Sequence, residues 1–352
     1  MPSNAMQATA RACSLLRFWS LRCSLVNRAA PDRWRSAGLM RWILLGGFGL
    51  LVVAGCSARK VDCLQTADSV GEEFESLHTG LLRVLTYNIY VGNADLATTA
   101  QSILRLQPDV AALQEVSPRW FDILQQELGS VLPYHFVPPA DGDVVALFSR
   151  LPLRNAHYEP SHYGLNGFAF AEIEFLDHPV QLVAVHLDPM RTWTLTYKLK
   201  VPWQIVHQGW VHRRELDQVL EHLQPAAPSI ILGDFNSYAS RAGPEYLQRR
   251  GLVDSARSVC NDADAVATHH LRVLGRSFGR RIDFIFHSSE FRTAESRVVR
   301  GDPSDHDIVV SSLQWVRGSR GENAEPKLAA DALERRAPLK PGGRSLAGPR
   351  VW

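Results

Sequence analysis

The sequence predicts a layered α/β sandwich, and three observations carry that expectation. Apolar residues make up 45% of the 352 and charged residues 21%, a globular balance. Short apolar and β-branched runs recur between residues 81 and 313 and read as strands. Some are separated by helix-period segments and others by direct β connections, as when helices cover the outer faces of sheets. No internal repeat is visible. Five cysteines are too few for a disulfide scaffold.

The elements follow in order. Arg83 to Tyr87 is a strand, and Asp95 opens a helix whose apolar positions Leu96, Ile103, Leu104 and Leu106 end before Pro108. Val110 to Leu113 is a short buried strand and Pro118 to Leu128 a second helix. Strands are expected at Val144–Ser149, Phe168–Phe175 and Val180–His186. Ile205, Val206, Trp210, Val211, Leu216, Val219, Leu220 and Leu223 predict a long helix before Pro225. Then come a strand at Ile230–Leu232, a helix at Pro244–Arg250 capped by Gly251, and strands at Ile282–Phe286 and Ile308–Leu313.

The ends have a different character. Residues 1–39 hold six Arg and no clear apolar period, and read as an over-extended start ahead of Met40 or as disordered chain. Residues 40–55 have the shape of a secretory signal: Arg41, then fourteen uncharged residues from Trp42 to Gly55. A helix of that length rises about 21 Å, short of a hydrocarbon core of about 30 Å. Val53-Ala54-Gly55-Cys56 resembles the lipobox of bacterial lipoproteins, in which the cysteine receives the lipid. A lipidated Cys56 and an uncleaved signal anchor both place the remainder outside the cytoplasm, in the cell envelope facing the periplasm. Residues 56–80 read as a polar linker, 81–316 as the working domain and 317–352 as a disordered Gly, Pro, Ala and Arg-rich tail. Cys63 and Cys260 are left either to pair or to remain isolated thiols.

Charge is divided along the chain. The segment 1–42 carries +6 and the tail +4, whereas 43–316 carries 23 basic and 31 acidic groups. The working domain alone has 21 basic against 26 acidic residues, a poor match to long duplex DNA.

Polar residues gather at or just beyond the ends of the apolar strands, where α/β folds place their sites. These are Asn88, Gln114-Glu115, His186, Asp234 and Asn236 in Gly233-Asp234-Phe235-Asn236, Asp283 in Arg281-Ile282-Asp283, and Asp305-His306 after Ser304. Singly, a strand-end Asn or Asp is a turn former and a lone His a satisfied core residue. Together, in this order and spacing over 81–316, they resemble the endonuclease/exonuclease/phosphatase superfamily of deoxyribonuclease I-like enzymes. The resemblance implies a four-layer α-β-β-α sandwich with its site at one edge of the paired sheets.

It also implies roles. Glu115 would hold a divalent cation with Asp305 and Asn88, and hard oxygen ligands suit Mg²⁺, with Mn²⁺ as the alternative. Asp234 would orient and deprotonate the attacking water and Asn236 would hold a phosphate oxygen. His186 and His306 would donate to phosphoryl oxygens, with Asp283 fixing the His306 ring. Such a set implies phosphoester hydrolysis, of a small or lipid phosphoester or of nucleic acid, and no protein partner is identifiable. A catalytically silent binding protein of the same fold is the rival from another class.

Other features stay open at this level. Arg272, Arg276, Arg280 and Arg281 form a basic cluster, of which Arg280 and Arg281 are candidate phosphate contacts, or an exposed basic loop. Glu172 either pairs with His186 or faces solvent. The aromatics from Trp193 to Trp210 either touch a substrate or pack, and His207, His212, His269 and His270 read as structural.

Overall fold

The computed structural model describes residues 80–138, 144–189, 201–238, 242–273 and 276–316. The signal with Cys56, the linker up to 79, the aromatic loop 190–200 and the tail lie outside the described residues. In chain order the strands are β1 (Leu81–Asn88), β2 (Val110–Val116), β3 (Tyr134–Phe136), β4 (Val144–Ser149), β5 (Arg154–Pro160), β6 (Gly167–Phe175), β7 (His178–His186), β8 (Ser229–Asp234), β9 (Val253–Asp254), β10 (His269–Val273), β11 (Arg276–Arg280), β12 (Asp283–His287), β13 (Phe291–Val299) and β14 (Ile308–Trp315). The helices are α1 (Leu96–Arg105), α2 (Pro118–Leu128), α3 (Val201–His222), α4 (Ala242–Arg249) and α5 (Ser255–Val259).

Two six-stranded sheets form the centre, in spatial order β13-β14-β1-β2-β4-β3 and β5-β6-β7-β8-β12-β9. Each contains one parallel pair joined through a helix, β1 with β2 and β7 with β8. Strand alternation then builds three apolar layers. Val84, Val110 and Leu147 meet Leu182, Ile230 and Ile285 between the sheets. Leu85, Ala111 and Phe148 face outward onto Ile103 of α1 and Leu124 of α2. On the far side Val183, Ile231 and Phe286 pack on Leu216 of α3 and Leu247 of α4. The result is the expected α-β-β-α stack.

Local sequence starts and stops these elements. Asp95 caps α1, its carboxylate accepting from the Thr98 N–H at 3.0 Å. Gly251, at φ 89°, ends α4 in the left-handed region that glycine enters freely. Gly233 lies within β8 at φ 150°, where a Cβ would collide with the Val185 carbonyl, so only glycine lets β7 and β8 approach beside the site.

Among the described residues Cys260 is the single cysteine. It is buried and disulfide-bonded, and Cys63 lies outside the described residues. No helix among the described residues is long and apolar enough to cross a membrane.

Candidate active site

The two parallel pairs end at the same edge, and the polar residues cluster there. In the first sheet Asn88 stands opposite Gln114, and in the second His186 and Asp283 both stand opposite Asp234. Two backbone irregularities aim the side chains. The β2–β4 register shifts between Leu113 and Val116, and Glu115 within that bulge takes φ 62°. A bulge turns a strand residue off its regular face. Asn236 takes φ 46°, a conformation that asparagine tolerates better than most residues.

Asp234 is the hub. Its Oδ2 accepts from Asn88 Nδ2 at 3.1 Å, and its Oδ1 from the backbone N–H of Asn236 at 2.8 Å. The same Oδ2 lies 3.7 Å from His186 Nε2 and 3.9 Å from His306 Nε2. Those two separations exceed a direct hydrogen bond. Asn88 Nδ2 also donates to Glu115 Oε1 at 3.0 Å, and the Val91 N–H donates to Glu115 Oε2 at 2.6 Å. Asn236 Nδ2 donates to the Leu187 carbonyl at 2.9 Å, tying the end of β8 to the residue after His186.

His306 is buried with Nδ1 3.0 Å from Asp283 Oδ2. Burial pulls its pKa down, but the charge and hydrogen bond of Asp283, with the charges of Asp234 and Asp305, outweigh that and push it up to about 10. The ring is therefore cationic at neutral pH, with its Nε2–H directed toward the hub. Thr268 steadies the pair, its Oγ1 accepting from the Ile282 and Asp283 N–H groups at 3.0 and 3.1 Å. Ser304 Oγ donates to the Asn88 carbonyl at 2.7 Å and accepts from the His306 N–H at 3.0 Å, joining the His306 loop to the end of β1.

A divalent cation fits this donor set. Asp305 Oδ1 is a buried oxygen with no hydrogen-bond partner, an orphan that a cation or water satisfies. Its other oxygen lies 3.6 Å from His269 Nε2. Burial raises the Asp305 carboxyl, but the nearby His269 ring and the charge of His306 prevail and hold it below its ordinary value. Among the described residues, His269, Asp305 and His306 bring ligand atoms within 4.8 Å of one another, as do Asp234, Asp283 and His306, and Glu115 belongs to neither group. Glu115, Asn88 and Asp305 would be the residues to hold the ion. A cation there would neutralise phosphate charge. Beside it, the arrangement sets one carboxylate oxygen able to accept a proton against two imidazoles able to donate one.

Two sequence readings change, those of Arg281 and His269, and the open alternative at Glu172 closes. Arg281 is no phosphate contact. It is buried and paired with Asp254 at 2.5 and 3.0 Å and with Asp264 at 3.0 Å, its guanidinium 4.4 Å over Phe284. Arg280 is exposed, stacked 4.9 Å over Tyr238, and keeps its charge toward solvent. Glu172 does not reach His186: it stands opposite Gln181, five residues back along β7, and accepts from Asn155 at 2.7 Å. His269 is more than structural, its ring 4.6 Å from that of His306. Its place follows from the β10–β11 hairpin, which leaves no apolar run in the sequence. Trp210 is exposed and edge-on to Tyr163 at 5.7 Å.

A family model described as the endonuclease/exonuclease/phosphatase family matches residues 85–306. The chain belongs to that family, whose members are phosphodiesterases, nucleases and phosphatases. No curated protein sequence matches it. Among solved structures it is similar to an endonuclease/exonuclease/phosphatase from Beutenbergia cavernae (21% identity, TM-score 0.54, 67% of this chain and 72% of that one). D. rerio TDP2, crystallised with a single-strand DNA product, is 17% identical with a TM-score of 0.54 over 66% of this chain and 99% of that one. A Leptotrichia buccalis family protein is 17% identical with a TM-score of 0.51, over 66% of this chain and 100% of that one. At these identities the likeness is one of fold.

Proposed function

We propose that the protein is an exported, lipid-anchored, divalent-metal-dependent phosphoesterase acting on a small or lipid phosphoester. The observation that carries hydrolysis is the single carboxylate oxygen of Asp234 facing both His186 and a cationic His306. A purely structural hub gains nothing from two imidazoles set around one buried carboxylate oxygen. The reading toward small substrates rests on charge: residues 81–316 carry five more acidic than basic groups, and Arg281, now spent on an internal ion pair, offers no phosphate grip. Export is supported by the disulfide at Cys260, since such bonds persist in oxidising compartments. Lipidation rests on the Val53-Ala54-Gly55-Cys56 sequence.

The test compares kcat/KM on short phosphodiesters, phospholipid vesicles and plasmid DNA, with Mg²⁺ or Mn²⁺ and with EDTA, at low and moderate salt. Turnover is expected to need the metal and to favour the small or lipid substrates. Glu115→Gln should raise the Mg²⁺ concentration needed for half-maximal rate. Efficient plasmid cleavage that weakens steeply with salt would favour the second reading, a nuclease. Arg280 and the single-strand DNA product bound by D. rerio TDP2 speak for that one. No turnover of any phosphoester would leave a silent binding protein.

Anchoring has its own test. A fatty-acid analogue should label the protein in cells, and Cys56→Ser should abolish the label because the thiol that receives the lipid is gone. An unlabelled native protein means no lipid at Cys56.

A further inference from the structure

Glu215 is a buried carboxylate outside the catalytic constellation, yet it is wired to it. It lies on α3, one turn from His212, and faces two loops that flank His186. Its Oε1 accepts from the Ser161 hydroxyl at 2.9 Å, and its Oε2 from the backbone N–H of Asp188 at 3.1 Å. Asp188 is two residues beyond His186. Its carboxylate accepts from the Leu165 N–H at 3.0 Å, and its carbonyl from His212 Nε2 at 2.8 Å and Gln208 Nε2 at 3.0 Å. Gln218, the next residue on the same face, joins in: it donates to the Pro160 carbonyl at 2.9 Å and accepts from the His162 N–H at 3.1 Å. The fit is close, for a Cβ at Gly164 would run into Glu215 Oε1 and Asp188 Cβ.

The segment after His186 is therefore pinned from both sides. Leu187 is held on the catalytic side by Asn236 Nδ2 and by its own N–H to the Asp234 carbonyl at 2.9 Å. Asp188 is held on the other side by Glu215. We infer that Glu215 is a positioning residue, an ionised clamp that fixes His186 and, through Leu187, Asn236 for turnover. This rests on the phosphoesterase reading above.

The donor pattern makes the charge necessary. Both atoms facing Glu215 arrive as donors, and Ser161 Oγ already accepts from the N–H groups of Tyr163 and Gly164, at 3.2 and 2.8 Å. Its hydroxyl proton has one direction left. A protonated carboxyl or an amide at 215 would turn a hydrogen toward one of these donors. A carboxylate accepts from both and has no hydrogen of its own to place.

That form is held near its limit. Burial raises the Glu215 carboxyl to about 7, with the Asp188 charge adding to the rise and the hydrogen bonds from Asp188 and Ser161 opposing it. The other titratable groups at hand are Asp188 itself and His212, which burial holds below its ordinary value and so neutral. As pH falls through about 7, Glu215 takes up a proton and the clamp opens.

Glu215→Gln tests the inference on the full chain, with bis(p-nitrophenyl) phosphate as probe. We expect kcat to fall about 10- to 100-fold with little change in KM, since displaced catalytic groups act on the chemical step. The acid limb of the wild-type rate profile, near pH 7, should vanish. Ser161→Ala removes one bond that favours the carboxylate, so its limb should move to higher pH. Unchanged kcat and an unchanged limb in Glu215→Gln would overturn the role, as would a fall in melting temperature with normal kcat. A second readout needs no turnover. Amide hydrogen exchange at Asp188 and Leu165, corrected for intrinsic rate, should show less protection at pH 6 than at pH 8. Equal protection at both overturns the clamp even if the protein hydrolyses nothing.

Discussion

Replacing Asp234 by Asn should lower kcat/KM by about 10²–10⁴-fold while the protein stays folded. The amide keeps the size of the carboxylate and still accepts from the Asn236 N–H on one side. What it loses is the negative oxygen shared by Asn88, His186 and His306, and with it any capacity to take a proton from water. The measurement is a Michaelis profile beside urea unfolding of the same sample. A folded Asp234→Asn protein with near wild-type turnover would remove Asp234 from the centre of the chemistry.

His306→Ala should silence turnover as well, but for two reasons that have to be separated. The ring is a donor at the site, and it is also the partner of Asp283, a carboxylate with no solvent exposure. Removing one member of a buried pair destabilises by about 3–5 kcal/mol. The sign of the pH effect follows from the His306 pKa, raised from 6.5 to about 10. Stabilisation by the protonated ring is full below its ordinary value and is lost as pH rises through about 10. The stability gap between wild type and His306→Ala should therefore narrow in strong alkali, whereas the gap in turnover at neutral pH should match that of Asp234→Asn.

The interior of the fold was legible in the sequence and its margins were not, for one physical reason. β1, β2, β4, β6, β7, β8, β12 and β14 lie inside the sheets and read as apolar runs, because both faces are covered. The strands that sequence reasoning missed in the two sheets, β3, β5, β9 and β13, are the four edges. β5 reads Arg-Asn-Ala-His-Tyr-Glu-Pro and buries no residue fully. Edge strands carry polar groups that discourage further pairing, so they look like loops. The site followed the same division. Asn88, Glu115, His186, Asp234 and Asp283 sit at the ends of interior strands, where an abrupt polar residue stands out. His269, Thr268 and Ser304 act from a hairpin and a loop, and their roles depend on contacts across 14 to 216 residues. Glu215 was hidden for another reason: a polar residue on an amphipathic helix gives no hint that it is buried.

Arg281→Ala should destabilise the protein by about 3–5 kcal/mol while leaving kcat/KM on a small substrate unchanged, which separates it from its neighbour Arg280. The guanidinium of Arg281 grips both oxygens of Asp254, at 2.5 and 3.0 Å, in the planar fork that arginine alone provides. Both partners are buried, and Asp254 also caps α5 through the Arg257 N–H at 3.3 Å. Alanine would leave that carboxylate buried without a counter-ion and a gap beside Phe284. Arg281→Met combined with Asp254→Asn fills the gap and keeps a capping side chain, so this double variant should be more stable than Arg281→Ala. Arg280→Ala, on the exposed side of the same turn, should leave stability within about 0.5 kcal/mol. Its effect belongs to substrate: a higher KM for an anionic phosphoester, with a weaker dependence on salt. Urea unfolding and KM titration of the three variants check this pattern. If Arg281→Ala were as stable as wild type and raised KM instead, its side chain would have to leave Asp254 to meet the substrate, and the internal ion pair would not be its working state.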